Sequence, residues 1–410
     1  SYSVTGVQTC ALPISALLTL CACMAMLINC TLPTTEKPKY TVTFESNGGS
    51  AIEPREIEVG STITEPTAPI KEDFSLAGWY KDAGLSSRWD FSSDIVTGDI
   101  TLYAKWIYDF SAILYRELVA VPGGAYNQKS GTGSPDNFDH TVSSFSIGKY
   151  EVTYALWYKV RMWAEANGYT FENEGKEGSN GTEGAEPTEQ KNEPVSRVSW
   201  RDAIVWCNAY SEVSGYTPSY TFGGNPIKNA EDAASCDGAV CAWNSNGYRL
   251  PSEGEWQYAA SYKDGTTWTP YNFASGAWTY YNDISDTSPA NGVYDNKDTN
   301  DAVAVYRYYW NNGSWAETGV TKTASAGSRQ GNQLGIYDMS GNIAEWCWDW
   351  NASYPTSAQT DYRGPANGSY RAVRGGNFGF NSQYLTVGIR GSYLPDYVQL
   401  TIGFRIARSN

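Results

Sequence analysis

The chain has 410 residues, rich in Trp (16) and Tyr (31) but with only 4 Met and 1 His. That length allows two or three domains with ordinary cores, and the aromatic content favours loop-heavy, ligand-facing folds over helical bundles. A formal charge of −15 argues against a nucleic-acid partner, because phosphate recognition needs a basic face. One imidazole cannot build a two-His-one-carboxylate iron centre, and His140 has no G-x-S-x-G elbow to serve; it reads as a packed or solvated residue.

In chain order, "VTGVQTCALPI" (Val4–Ile14) reads as a translated short-read sequencing adapter, so residues 1–14 are expected to be foreign to the protein. Residues 15–29 are apolar, uncharged and too short to span a bilayer comfortably. They read as the h-region of a secretion signal. "MLINC" resembles a relaxed bacterial lipobox with Cys30 as the lipidated residue; Cys23 is an alternative, as is secretion without lipid. The expected location is extracytoplasmic, on the outer face of a bacterial membrane through a lipid anchor, where disulfides can form.

After a linker at 30–39, Tyr40, Val42 and Phe44 alternate with Thr41, Thr43 and Glu45, the period of a half-buried strand. Asn47-Gly48-Gly49 supplies the positive φ angles of a tight turn. "DITLYAKW" puts Ile100, Leu102, Ala104 and Trp106 on one face. With its GGS turn, central GWY and terminal YAKW, the segment 40–106 resembles the Listeria–Bacteroides (internalin B-type) repeat. That resemblance implies a small β-rich spacer or adhesion module.

From about Leu114 to Arg408 the chain reads as one α+β unit with long loops. Thr153 is a plausible N-cap for a helix whose stripe is Leu156, Trp157, Val160, Trp163 and Ala164, stopped by Asn167-Gly168. A second helix follows Ser199, with Asp202 three residues on and Trp200, Ala203, Ile204 and Cys207 at helical spacing. A third opens on the Ser252/Glu255 capping box, with Pro251 and Trp256 as a staple.

"VPGG", "IGKYEVT", "VSWRDAIVWCN", "GYRLPSEGEWQYAA", "LGIYDMSGNIAEW", "YRAVRGG" and "IGFRIA" occur in the order found in formylglycine-generating enzymes and related sulfatase-modifying factor domains. This resemblance implies a C-type-lectin-like fold of Trp-anchored loops. It also implies where the family's copper(I) thiolates belong, spaced C-x4-C after the RGG turn. Here those positions are Phe380 and Leu385, and a family serine is Asn377. Soft thiolates are what hold copper(I), so copper is not expected. The three-histidine iron branch of the fold is excluded by the single His.

The resemblance further implies a structural calcium at Asp338, Gly341, Ile343 and Glu345, the alternative being that Glu345 pairs with a nearby Arg. The family's Trp before that glutamate is Ala344 here. Cys236 and Cys241 ("CDGAVC") are expected to close a local disulfide or to stay as free thiols. Cys207 matches a family disulfide cysteine whose partner position is Ile406, and is expected as a buried thiol.

Two classes of function follow. In the first, the domain is a non-catalytic, lectin-like module, displaying Asn377, Phe378, Phe380, Asn381, Tyr384, Tyr393, Tyr397 and Gln399 to an extracellular glycan or protein; Tyr and Asn give contact area and hydrogen bonds at low entropic cost. A weaker resemblance to retroelement-diversified receptors attaches to the same loop. In the second, the domain is a divergent oxidase or another enzyme of the fold. A purely structural ectodomain is the third reading, since a fold does not dictate function.

Overall fold

A computed structural model describes residues 36–71, 74–109, 117–131, 136–277, 297–311 and 313–410. The chain divides into two compact units, Ser1–Phe110 and Ser111–Asn410. The adapter-like stretch, the signal and the lipobox Cys30 lie outside the described residues.

In the first unit, the strand Lys39–Glu45 pairs antiparallel with Arg55–Glu58 and in parallel with Ile100–Tyr108, and the latter pairs antiparallel with Phe74–Tyr80. Alternation sends Val42 and Phe44 inward to meet Trp79, Trp89, Leu102 and Ala104, while Ile100 and Trp106 pack half-buried on the same cluster. Asn47 (φ 48°) and Gly48 (φ 85°) make the expected turn.

The second unit is α+β, as expected. Thr153 accepts from Leu156 N and opens the helix Tyr154–Ala166, whose buried stripe includes Leu156, Trp157, Val160 and Ala164. Reciprocal capping boxes open Trp200–Val213 (Ser199 with Asp202) and Glu253–Ser261 (Ser252 with Glu255). Each such cap contributes about 1 kcal/mol. Two short helices, Ala233–Asp237 and Lys297–Val303, were not anticipated. The strand Ala344–Trp350 lies between Arg371–Arg374, antiparallel, and Ile402–Gly403, parallel, with Gly391–Tyr393 on the outer edge.

Indole N–H groups tie helices and this sheet to the segments around them. Trp346 Nε1 donates to Val198 O at 3.1 Å, Trp200 Nε1 to Cys347 O at 3.0 Å and Trp157 Nε1 to Glu174 O at 2.8 Å. Arg371 is sandwiched between Trp200 and Trp350, its guanidinium carbon 3.5 and 3.4 Å from the ring centroids. Such buried cation–π contacts are stronger than exposed ones. No described helix is long and apolar enough to cross a membrane.

The expected Cys236–Cys241 disulfide is not formed. The helix Ala233–Asp237 turns Cys236 Sγ towards Asn229 O (3.4 Å), while Cys241 sits in a strand paired with Tyr220. Cys207, Cys236, Cys241 and Cys347 are all buried free thiols. Burial raises each of their pKa values, Cys236 and Cys241 to about 12, which suppresses the reactive thiolate.

Candidate functional site

Arg374 closes the strand Arg371–Arg374 and is 1% exposed. Its Nε donates to Glu253 Oε1 at 2.9 Å and Nη2 to the Tyr354 hydroxyl at 2.6 Å. Nη1 donates to the carbonyls of Val387 and Ile389, each at 3.0 Å. One side chain therefore holds the return of the loop that starts just beyond it. Gly375 (φ 95°) and Gly376 (φ 69°) turn the chain. A Cβ at Gly376 would collide with the Tyr384 carbonyl, so only glycine lets the loop fold back on itself.

Glu253, the anchor of this clamp, is fixed at the first turn of its helix. Arg390 Nη2 also donates to its Oε2 at 2.7 Å. Burial pushes the Glu253 carboxyl up, but Arg374 and Arg390 outweigh it and hold the group below its ordinary pKa. Asp349 accepts the Glu253 backbone N–H at 2.7 Å. Its own pKa is pushed up to about 8 by burial and by the Glu253 charge.

The clamped loop presents some of the expected residues and buries others. Phe380 and Tyr384 are each 38% exposed, with ring centroids 5.0 Å apart, and Phe378 is half-buried beside them. Asn377 is only 2% exposed; its Oδ1 accepts from Gly379 N at 3.0 Å, so it shapes the loop from within and is not on the surface. Asn381 Oδ1 is buried without a partner among the described residues. Leu385 is fully buried among Ala274, Ala277, Val303, Ala304 and Tyr306. Of the two positions where thiolates would stand, one is at the surface and the other is core.

Tyr393 and Tyr397 stack with centroids 4.5 Å apart, and Gln399 Nε2 donates to the Tyr397 hydroxyl at 2.9 Å. Exposed Leu394 and Leu400 flank this pair.

Sequence reasoning missed the hairpin beside the loop. Tyr308–Asn311 pairs with Ser314–Glu317, and Trp310 meets Trp315 edge-on at 5.1 Å. The Phe380 carbonyl accepts from Arg307 N (3.0 Å), and Tyr308 bridges Asn381. Trp315 is exposed. The available signal was "YYWNNGSW", aromatics on both sides of an N-G turn.

Behind the loop lies the turn read as a calcium site. It is hydrogen-bonded to the RGG turn: Gly341 N donates to Gly375 O at 2.8 Å and Phe378 N to Asn342 O at 2.9 Å. The two motifs thus form one assembly. Asp338 (φ 57°) and Asn342 (φ 55°) are left-handed, which Asp and Asn tolerate. At Gly341 (φ 80°) a Cβ would strike the Val305 carbonyl. Glu151 was not anticipated here. Buried, it accepts from Asn342 Nδ2 at 2.7 Å and from Ile343 N at 3.1 Å.

Calcium needs six to eight hard oxygens. Arg405 grips both oxygens of Glu345 at 2.6 Å, and Trp256 Nε1 donates to one of them at 2.8 Å. Asp338 keeps one oxygen, Oδ1, buried without a partner among the described residues, and burial pushes its carboxyl up to about 6. With Glu345 committed to Arg405, the donors at Asp338, Gly341, Ile343 and Glu345 do not fit a calcium ion as arranged. Among the described residues, no cluster of three or more His, Cys, Asp or Glu could hold a metal.

His140 is packed in the interior. Tyr362 N donates to its Nε2 at 2.9 Å, which leaves Nδ1 to donate to Gln128 Oε1 at 2.7 Å. Burial lowers its pKa to about 4, so the ring is neutral.

An α+β domain of Trp-anchored loops, with a buried Arg-Gly-Gly turn next to a Gly-Asn turn, defines a protein of the formylglycine-generating-enzyme fold. Residues 110–410 match the sulfatase-modifying factor enzyme 1-like domain, and the chain belongs to this family. Residues 40–105 match the Listeria-Bacteroides repeat domain. A protein from Paenibacillus barcinonensis called chaperone protein LppX is 32% identical over 262 residues, covering 60% of this chain and 76% of its own. The formylglycine-generating enzyme of Streptomyces coelicolor is 31% identical over 166 residues, 39% of this chain and 46% of that enzyme. Among solved structures, Treponema denticola variable protein 1 superposes with a TM-score of 0.52 at 28% identity, covering 72% of this chain and 95% of that one.

Proposed function

We propose that the protein is an extracytoplasmic, surface-associated binding module whose family domain displays the loop 377–386 and the hairpin 308–317 to an extracellular ligand. The observation that carries this reading is the fate of the two thiolate positions. Phe380 is exposed and Leu385 is core, while the Arg374 clamp and the two glycines that hold the loop are kept. Oxidase chemistry of the family kind lacks its soft ligands. A rigid scaffold carrying exposed aromatic side chains is suited to contact instead.

The relation to a protein called a chaperone favours a protein ligand over a glycan. The likeness to a protein called variable supports side chains that change while the clamp stays. A downstream DNA copy of the segment, differing mainly where the template has adenine, would establish diversification; finding none in the surrounding sequence would remove that part. The lipid anchor at Cys30 belongs to the same proposal.

The test is a protein and glycan binding screen of residues 31–410, repeated with Phe380→Ala and Tyr384→Ala. Binding lost in both variants supports the reading, and unchanged binding moves the site elsewhere. Copper(I) binding or oxidation of a cysteine peptide by the purified protein would replace it with an oxidase.

A further inference from the structure

In the family domain a cleft of about 270 Å3 has Lys129, Ser261, Trp268, Thr269, Pro270 and Tyr271 in its lining. Sites for drug-sized molecules run from about 300 to 1,000 Å3, so this one suits a smaller ligand. Local bonds assemble it. Thr269 N donates to Ser261 O at 2.7 Å and Tyr262 bridges Trp268, which folds the segment after the helix Glu253–Ser261 back against its end. Trp268 is held by Tyr126, Tyr258 and Tyr262, with ring centroids 5.5, 4.7 and 5.6 Å away. Gly388 N donates to Tyr271 O at 2.8 Å, and Gln257 Nε2 to the carbonyls of Lys129 and Val387 at 2.8 and 3.0 Å. The walls are therefore fixed before any ligand arrives.

The polar groups of the lining divide into engaged and free. Gln257 is committed to backbone, its Oε1 accepting from Lys129 N at 3.2 Å, and Gly254 O accepts from the Tyr126 hydroxyl at 2.9 Å. The Asn127 amide donates to Asp139 at 3.0 Å. Ser261 and Thr269 differ. They are 4% and 7% exposed, yet neither hydroxyl has a hydrogen-bond partner among the described residues. Neither oxygen is sealed off, unlike the enclosed unpartnered hydroxyls of Ser219 and Thr386, so both open on the cleft they line. The indole N–H of half-buried Trp268 is likewise unpaired and accessible. Lys129 forms no salt bridge among the described residues, and its ammonium stands 5.3 Å from the Tyr271 ring centroid.

We propose that this cleft binds a small organic carboxylate whose apolar part lies against Trp268, Pro270 and Tyr271. Lys129 is the charged residue of the lining and no carboxylate belongs to it, so an anion is favoured. Carboxylate oxygens only accept, which matches hydroxyl, indole and ammonium donors that lack acceptors of their own. Hydrogen bonds to an ionised acceptor are roughly twice as strong as neutral ones. The aromatic and proline surfaces beside those donors favour an acid with an apolar group over inorganic phosphate. No residue of the loop 377–386 lines the cleft, and the proposal does not depend on the function proposed for that loop.

The test titrates the full chain with phenylacetate and with its neutral isostere phenylacetamide, read by saturation-transfer NMR of the ligand. Phenylacetate is expected to bind at millimolar concentration or below, and the amide at least tenfold more weakly. Lys129→Met and Thr269→Val, which removes the hydroxyl and keeps the shape, are each expected to weaken phenylacetate binding at least tenfold. Neither side chain has a hydrogen-bond partner in the fold, so both variants should keep the parent melting temperature. Phe380→Ala is expected to leave binding unchanged. A tripeptide ending in Phe is run as competitor: competition supports a chain terminus as the source of the carboxylate, and its absence supports a free acid. No binding of phenylacetate at tens of millimolar, equal binding of acid and amide, equal competition by inorganic phosphate, or indifference to both cleft variants would each overturn the proposal.

Discussion

Arg374 and Glu253, 121 residues apart in the chain, meet at 2.9 Å in the interior of the family domain. Both are almost fully buried, and the pair links a helix start to the base of the loop 377–386. A buried ion pair of this kind contributes little net stability as a pair, but breaking one side leaves a charge without compensation.

Arg374→Met is therefore expected to cost about 3–5 kcal/mol, measured by urea unfolding. Glu253→Gln is expected to fall in the same range. The pair also has a pH signature. Glu253 is held below its ordinary pKa, so its contribution is present above the unfolded value, near 4.3, and is lost as pH falls through the folded one. A loss under about 1 kcal/mol in both variants would show that the clamp is not needed for stability.

Asp338 has the opposite sign. Its folded pKa is raised to about 6, so the unfolded chain ionises first and stability declines as pH rises from about 4 to 6. Two units correspond to about 3 kcal/mol. Asp338→Asn is expected to remove this decline, leaving a variant as stable as the parent at pH 4 and more stable at pH 7. Parallel stability–pH curves for the two proteins would refute it.

Calcium is expected to add no stability. Chelation with EDTA should leave the melting temperature unchanged, because Glu345 is engaged by Arg405 and Trp256. A rise of several degrees on adding millimolar calcium would mean that Arg405 yields its carboxylate to the ion.

Surface and core substitutions in one loop should separate cleanly. Phe380→Ala and Tyr384→Ala remove exposed rings and are expected to change stability by less than about 1 kcal/mol while weakening ligand binding tenfold or more. Leu385→Ala, five residues from Phe380, empties a core position and is expected to cost about 2–5 kcal/mol. Equal effects of Phe380→Ala and Leu385→Ala on unfolding would contradict this division.

Much of the fold was legible because it rests on local rules. Ser199 with Asp202 and Ser252 with Glu255 cap helices through bonds three residues long, so sequence alone placed them. Strand alternation at Tyr40–Phe44 and Ile100–Trp106 likewise needs only neighbouring residues. The short helix Ala233–Asp237 carries no such pattern, and overlooking it led to the disulfide that Cys236 and Cys241 do not form.

By itself the sequence determined that no thiolate stands at 380 or 385 and that the chain has a single imidazole, since reading residue identities requires no geometry. Phe380 and Leu385 are not ligands wherever they lie. Only the tertiary structure decided which side chains face out. Asn377 and Phe380 read alike as display residues, yet the first is buried under the loop it caps and the second is exposed. Glu345 read as a cation ligand until Arg405, 60 residues on, was brought against both of its oxygens. The Trp310–Trp315 hairpin is tied to the loop by backbone bonds to Phe380 and Asn381. The reason is common to all three: exposure and ion pairing depend on partners distant in the chain, and a one-dimensional pattern does not encode which distant partners meet.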